Sequence, residues 1–199
     1  QTLAQLERTT MEMHEHAVEA VIEADSTADD QIARQDDDVD RLFALVSRGF
    51  QQSLVDPAVT TDNETLTPFE YYMAARQLER IADHAEKIAT IAGRLDDPPP
   101  ADIAADLEDA GTQSREIARR ALAGLLDEDN GAAELAAVIA DAEALLDAVA
   151  ETDQRLYDQS LDAGYLLGLV VDSIARTTEY GVNIAEAGLQ ARHRGQREG

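Results

Sequence analysis

The 199-residue chain has no cysteine and no tryptophan, and Lys87 is its only lysine. Without cysteine it cannot form disulfides, thiolate metal sites or a cysteine nucleophile. Aromatic residues make up only 4% of the chain, so Leu, Ile, Val and Ala must build the core, and this composition favours helices. No uncharged apolar run approaches the about 18 residues of a membrane-spanning helix, and no signal peptide is recognisable. We therefore expect a cytoplasmic protein that does not insert into a membrane.

The charge is strongly of one sign. The chain has 41 Asp and Glu against 16 Lys and Arg, a formal net charge of −25. Direct binding to DNA or RNA needs cationic side chains that neutralise phosphates, so this chain is not expected to bind nucleic acid itself. An anionic membrane surface would also repel it. An acid excess with almost no lysine is typical of proteins adapted to molar salt, where the screening length is about 3 Å. We therefore predict a halophilic source.

Proline and glycine are sparse, which predicts long helices. Pro98, Pro99 and Pro100 form the clearest internal boundary, at the middle of the chain. No stretch alternates with period two, so no strands are predicted. We predict an all-α fold of six helices arranged as two three-helix bundles in series, with domains at 1–97 and 101–199. The six stretches with helical periodicity are 3–25, 28–55, 68–95, 101–128, 132–158 and 161–194.

An internal repeat supports this division. A shift of 96 positions places the third helix on the sixth, so that the apolar seam containing Leu78 and Ile81 falls on Ile174 and Thr177. Apolar residues at intervals of three and four are typical of helices that pack lengthwise in a bundle. Small residues in the sixth helix, at Gly181 and Gly188, are expected to let a neighbouring helix approach closely.

The sequence offers few catalytic groups. His14 and His16 are two residues apart and point to different sides of a helix, so they are not a chelating pair. The Glu-x-x-His spacing of di-iron bundles is missing, as are the P-loop, the dinucleotide-binding glycine motif, the nucleophile elbow and the zincin motif. We therefore predict that the protein is not an enzyme.

Two acid pairs at i, i+4 remain as candidates for a site. Glu79 and Asp83 lie just off the apolar seam of the third helix, and Asp36 and Asp40 repeat the spacing on the second. Neighbouring like charges repel by about 0.2–0.5 kcal/mol per pair, which a bound cation would reverse. Carboxylate oxygens suit divalent or iron-type metal ions. In so acidic a chain the alternative is a solvated face without a ligand.

The segment from Arg76 to Ala89, with its run Glu-Arg-Ile-Ala-Asp-His-Ala, resembles the signature helix of the PhoU family, regulators of phosphate uptake. The segment 175–186 is similar to the degenerate second copy of this helix in archaeal members. Residues 37–42 resemble the second helix of the family, and residues 13–20 resemble its first. The resemblance extends over essentially the whole chain, in the family's order.

This resemblance implies a duplicated three-helix bundle and a regulator that acts with a phosphate ABC transporter and a sensor kinase. Some members bind multinuclear metal clusters, including iron. Glu79 and Asp83 fit the metal motif of the family, and Asp36 and Asp40 could face them. In the second copy Ala175 stands where an acid is expected and only Glu179 remains, so a second cluster of equal strength is not expected. We also expect a homodimer.

Two other functions are compatible with the sequence. Some archaeal relatives join a PhoU-like region to an AbrB-like DNA-binding domain near the N-terminus, and a chain that begins with Gln1 is compatible with being the effector half of such a transcription regulator. The other alternative is a helical scaffold or dimerisation module without a ligand. A basic, β-rich domain encoded upstream of Gln1 would favour the first alternative.

Overall fold

The protein, described by a computed structural model over residues 2–56, 58, 66–127 and 131–198, is a bundle of six α-helices without strands in those residues. The predicted all-α fold is therefore confirmed, and the helix ends differ from the predicted ones by four residues at most. None of the helices, over the same residues, has the length and apolar character needed to cross a membrane. The helices are α1 (Thr2–Glu23), α2 (Asp29–Ser53), α3 (Pro68–Ala92), α4 (Ala101–Leu126), α5 (Gly131–Gln159) and α6 (Gly164–Glu198).

The start of α3 is fixed by local chemistry. The Thr67 side chain accepts a hydrogen bond from the backbone N–H of Glu70 at 3.3 Å, and the Glu70 carboxylate accepts one from the Thr67 N–H at 2.9 Å. Pro68 occupies the first turn, where its missing N–H costs nothing. Such a cap contributes about 1 kcal/mol. It also sets where on the bundle each later side chain of α3 lies.

The helices pack as two related triplets. The first triplet is α1, α2 and α3, the second is α4, α5 and α6, and the triplets join where α3 packs on α6 and α1 on α4. Leu78, Ile81 and Ile174 are fully buried, as the seam predicted. A Cβ added to Gly181 would lie 2.8 Å from the side chain of Ile117 on α4, so the expected close approach at this glycine is confirmed.

Equivalent positions of the two triplets meet in the contact between α3 and α6. The Tyr180 hydroxyl lies 3.3 Å from Nε2 of His84, and these residues are 96 positions apart, the offset of the repeat. Further along the same pair of helices, the Asn183 amide donates to the Gln77 amide oxygen at 3.1 Å. The residue numbers rise on one helix and fall on the other, so α3 and α6 run antiparallel about an approximate two-fold axis. The division into independent domains at 1–97 and 101–199 stays a prediction.

A buried polar contact also joins α1 to α4. His14 is fully buried, and its Nδ1 lies 3.4 Å from Nη1 of Arg115, whose side chain is only 7% exposed. Burial, followed by the positive charge of Arg115, lowers the pKa of His14 to about 3. His14 is therefore a neutral side chain inside the junction at ordinary pH, and it is not available as a surface ligand.

Candidate functional site

The four acids predicted on the second and third helices share one face of the molecule, the α2–α3 acidic face, defined by Asp36 and Asp40 on α2 and by Glu79 and Asp83 on α3. Asp36 and Glu79 are half-buried, and Asp40 and Asp83 are exposed. The four carboxylates lie close enough together to raise the pKa values of the two half-buried ones.

Asp36 is the most perturbed carboxyl of this face. Its pKa is raised to about 6, first by partial burial and then by negative charges on both helices. The contributing charges are those of Glu86, Asp40, Asp83 and Asp37. A carboxyl with so many negative neighbours holds its proton to higher pH than an isolated one.

Glu79 is perturbed in the same direction. Burial raises its pKa, and the charges of Asp83 and Asp40 raise it further, while Arg76 and Arg80 act against them. The charge of Asp40 thus reaches Glu79 from the neighbouring helix, as that of Asp83 reaches Asp36. The structure therefore brings the two acid pairs together where α2 packs against α3.

Packing between α2 and α3 holds this arrangement. Ile32, Val39 and Val46 are buried on α2 at intervals of seven residues, which leaves Asp36 and Asp40 at the edge of the contact. Further along, Tyr72 of α3 stacks on Phe43 and Phe50 of α2, with ring centroids 5.8 and 4.7 Å apart. Aromatic contacts of this kind add about 0.5–1.5 kcal/mol each beyond burial, so the acids lie on well-supported helices.

Glu179, the remaining predicted site residue, lies elsewhere. It is on α6, where Arg176 donates a 2.8 Å hydrogen bond to its carboxylate. Its charge is not among those that raise the pKa of Asp36 or Glu79. The position that corresponds to Glu79 in this helix is the half-buried Ala175. The structure thus places Glu179 in a local ion pair.

Two further acids act on the α2–α3 acidic face and were not identified in the sequence analysis. Asp37 and Glu86 both act on Asp36. Glu86 follows Glu79 by seven residues and Asp83 by three, so helical spacing alone places it on the same side of α3. That spacing could have identified it.

The donor atoms of this face are carboxylate oxygens, the ligands that hard cations prefer. Over the described ranges of the chain, no group of three or more His, Asp or Glu side chains is placed so that it could hold a metal ion. A cation at this face would therefore be held by one or two carboxylates with water completing its shell, which is how Mg²⁺ is often bound.

Comparison with known proteins gives three results. The PhoU domain family matches residues 3–92, which include α1, α2 and α3. No sequence among curated proteins matches the chain. Among solved structures, the crystal structure of PhoU from Pseudomonas aeruginosa matches with a TM-score of 0.83 and 20% identity, covering 98% of this chain and 94% of that one. Residues 3–92 therefore match the PhoU domain, and the described helices have the fold of the Pseudomonas PhoU.

Proposed function

We propose that the protein is a PhoU-like regulator of phosphate uptake and phosphate-responsive signalling. It acts in the cytoplasm by contacts with a phosphate ABC transporter, a sensor kinase or both, and it is not an enzyme. The observation that carries the proposal is the coincidence of two matches: the PhoU domain over α1 to α3, and a PhoU fold over 98% of the chain.

The electrostatics of the α2–α3 acidic face support a binding role. The pKa values of Asp36 and Glu79 are both raised, so their ionised forms are unfavourable in the free protein. A cationic ligand or a cationic side chain of a partner would relieve this repulsion. Unfavourable charges kept on an exposed face are more often found at functional sites than elsewhere.

The functional test is genetic. Deletion of the gene is expected to alter phosphate uptake or phosphate-responsive gene expression, and the intact gene should restore both. Normal uptake and normal expression under both limiting and excess phosphate would contradict the proposed function. Such results would favour the alternative of a helical scaffold without a ligand.

As part of the same proposal, a divalent or iron-type metal ion binds at the α2–α3 acidic face, held directly by one or two of the carboxylates of Asp36, Asp40, Glu79 and Asp83. Their oxygens match such ions, and binding would offset the repulsion between the pairs. Glu179 would be at most part of a weaker second site, because Arg176 already engages its carboxylate.

Elemental analysis of protein purified without chelator tests the metal site. The Glu79→Gln/Asp83→Asn variant should lose bound metal. The matched control is Glu143→Gln/Asp147→Asn, which removes two exposed acids at the same spacing on α5 and should keep the metal. Equal metal content in all three proteins would exclude the α2–α3 acidic face as the metal site.

We further propose a homodimer and a halophilic origin. Light scattering in molar KCl gives the mass of the assembly, and the mass of a monomer would contradict the proposed homodimer. Adaptation to salt is supported by the net charge of −25 with a single lysine. It would be contradicted by a thermal midpoint that does not rise between dilute buffer and molar KCl.

A further inference from the structure

The flank of α3 that lies towards α6 carries a row of cations. Arg80 and Lys87 are seven residues apart and lie on one side of α3. Arg94 follows after a further seven residues, in the turn just beyond the end of the helix, and all three are exposed. The charges of Lys87 and Arg80 lower the pKa of His84, whose ring contacts Tyr180 of α6. The row therefore borders the groove between α3 and α6, beside the α2–α3 acidic face on the same helix.

These three cations have no carboxylate partner within ion-pair distance among the described residues. Some arginines on other helices pair with acids, for example Arg41 with Asp38 at 2.6 Å and Arg120 with Asp141 at 2.7 Å. The chain has 41 acids for 16 basic residues, so a basic residue on this surface has many potential partners. A row of three unpaired cations, which includes the only lysine, is available to an anionic group from outside.

A cavity of about 330 Å³ lies between α3 and α6 beside this row. Lys87 and Arg94 line it together with the hydroxyls of Thr90 and Ser173. Of its two acids, Asp172 lies 3.9 Å from Arg176, and the charge of Glu86 acts on the α2–α3 acidic face. The remaining lining residues are His84, Ile91 and Leu169.

A mainly apolar groove, lined also by Asp153, adjoins this cavity at Leu169, which lines both. This second groove, of about 570 Å³, lies between the end of α5 and the start of α6. Tyr157 and Tyr165 line it and are 81% and 75% exposed, in a chain with only eight aromatic residues. Exposed apolar surface joined to a charged border marks a protein contact, and tyrosine is frequent among the residues that dominate such contacts.

We propose that this continuous surface, from Arg80 along α3 to Tyr157 and Tyr165, binds an acidic amphipathic segment of a partner protein. Carboxylates of the segment lie along Arg80, Lys87 and Arg94, and its apolar side chains enter the groove between α5 and α6. Arg80 and Lys87 are about 10 Å apart along α3 at 1.5 Å per residue, and Arg94 lies beyond the end of the helix, so a single small anion cannot contact all three cations. This inference rests on the proposed function in one respect, namely that the protein acts by binding other proteins.

Binding can be measured by fluorescence anisotropy with a labelled peptide of about 16 residues, a length that spans the row as a helix. The peptide carries glutamate at every third or fourth position and a leucine pair at one end. We expect saturable binding that weakens with rising KCl. A peptide with glutamine in place of glutamate should bind weakly, as should one with serine in place of leucine.

Arg80→Glu/Lys87→Glu/Arg94→Glu should weaken binding on the order of tenfold or more, since like charges then face each other. The matched control is Arg34→Glu/Arg48→Glu/Arg119→Glu, which makes the same charge change at exposed arginines of α2 and α4 and should leave binding within a factor of about two once salt is raised. Tyr157→Ser/Tyr165→Ser tests the apolar end and should also weaken binding. Circular dichroism confirms that each variant is folded.

Several results would overturn the proposal. One is equal loss in both charge-reversal variants, which indicates a general charge effect. Another is a site that takes inorganic phosphate but not the peptide. A third is self-association of the protein that is abolished only by the charge reversal at Arg80, Lys87 and Arg94. That result would identify a second copy of the chain as the molecule that binds this surface. If the peptide binds but the deletion strain responds normally to phosphate, the proposed function is wrong and the proposed binding surface is still supported.

Discussion

The two triplets share one architecture but treat their carboxylates differently. In the first triplet the half-buried acids Asp36 and Glu79 face further acids, and the pKa of each is raised. In the second triplet Arg120 of α4 donates to Glu134 and Asp141 of α5, at 2.5 and 2.7 Å. The first arrangement opposes stability and the second supports it. The difference places the unfavourable carboxylates of this comparison in α1 to α3 and the stabilising ion pairs between α4 and α5.

The corresponding helices α3 and α6 show this divergence residue by residue. Glu79 corresponds to Ala175, and His84 corresponds to Tyr180. The acid at the next corresponding position, Glu179, is bonded to Arg176. In α6 one acid of the pair is replaced and the other is bonded to an arginine. This helix therefore lacks the repulsion between carboxylates that a bound cation would relieve. Four predictions test this comparison and the junction between the triplets.

Acid should destabilise the junction more than any other part of the protein. Burial lowers the pKa of His14 to about 3 and that of His84 to about 4, whereas both histidines titrate near 6.5 in the unfolded chain. The unfolded state therefore binds more protons between those values, and stability falls as pH drops, by at most about 1.4 kcal/mol per pH unit for each histidine. Urea midpoints measured from pH 7 to pH 4 give the slope.

Asp36 acts in the opposite direction in the same experiment. Its pKa in the folded protein, about 6, lies above the value of about 3.9 for an unperturbed aspartate, so its unfavourable contribution is lost progressively as pH falls from about 6 to about 4. Asp36→Asn should therefore show a steeper acid loss than the wild type, and His14→Gln a shallower one. Parallel curves for all three proteins would contradict the assignment of these groups.

Substitution of Gly181 should give the next largest effect. An added Cβ would lie 2.8 Å from Ile117 and 3.2 Å from the backbone of Ala118, so Gly181→Ala forces α6 away from α4 and costs about 1–3 kcal/mol. The control is Gly49→Ala on α2, where nothing lies within 4 Å of the new Cβ and helix propensity predicts a gain of about 0.5–1 kcal/mol. Thermal unfolding of both variants checks the signs. Similar midpoints for the two would show that α4 and α6 do not need this close contact.

Much of the fold could be predicted from the sequence because its signals are local. The threonine, proline and glutamate at 67, 68 and 70 mark the start of α3, and the three- and four-residue intervals mark its buried side. The end of α1 was predicted at residue 25, but the helix ends at Glu23, because Ala24 adopts a positive φ of 52°. An alanine gives no sign of that conformation, which normally favours glycine.

The contacts between the triplets could not be predicted in the same way. His14 and Arg115 are 101 residues apart, and no local pattern indicates that they meet. The cations of α3 were equally unremarkable in sequence, because their lack of partners depends on which helices lie beside them. The acid pairs were identified by spacing, but that Asp36 and Glu79 are half-buried follows only from the packing of α2 against α3.

Neutralising one acid in each triplet tests the comparison directly. Asp36→Asn removes a carboxylate that repels its neighbours and should stabilise the protein at pH 7, on the order of 1 kcal/mol after allowance for solvent screening. Asp141→Asn removes a carboxylate bonded to Arg120 and should destabilise the protein by about 0.2–1 kcal/mol. Urea unfolding at pH 7 gives both values. Effects of the same sign would mean that the two triplets do not differ in the way proposed.

Salt should shrink both of these differences, and this is the smallest effect expected. At molar KCl the screening length falls to about 3 Å, so repulsion at the α2–α3 acidic face and attraction around Arg120 weaken together. The loss from Asp141→Asn should fall to a few tenths of a kcal/mol, within the range of weak exposed pairs. The gain from Asp36→Asn should lose the part that comes from its acidic neighbours and keep the part that comes from burial. The measurement is the same urea titration in dilute buffer and in KCl. If the gain from Asp36→Asn survives molar salt undiminished, its cause is burial of the carboxylate and not its acidic neighbours, and the face would then have no electrostatic need for a cation.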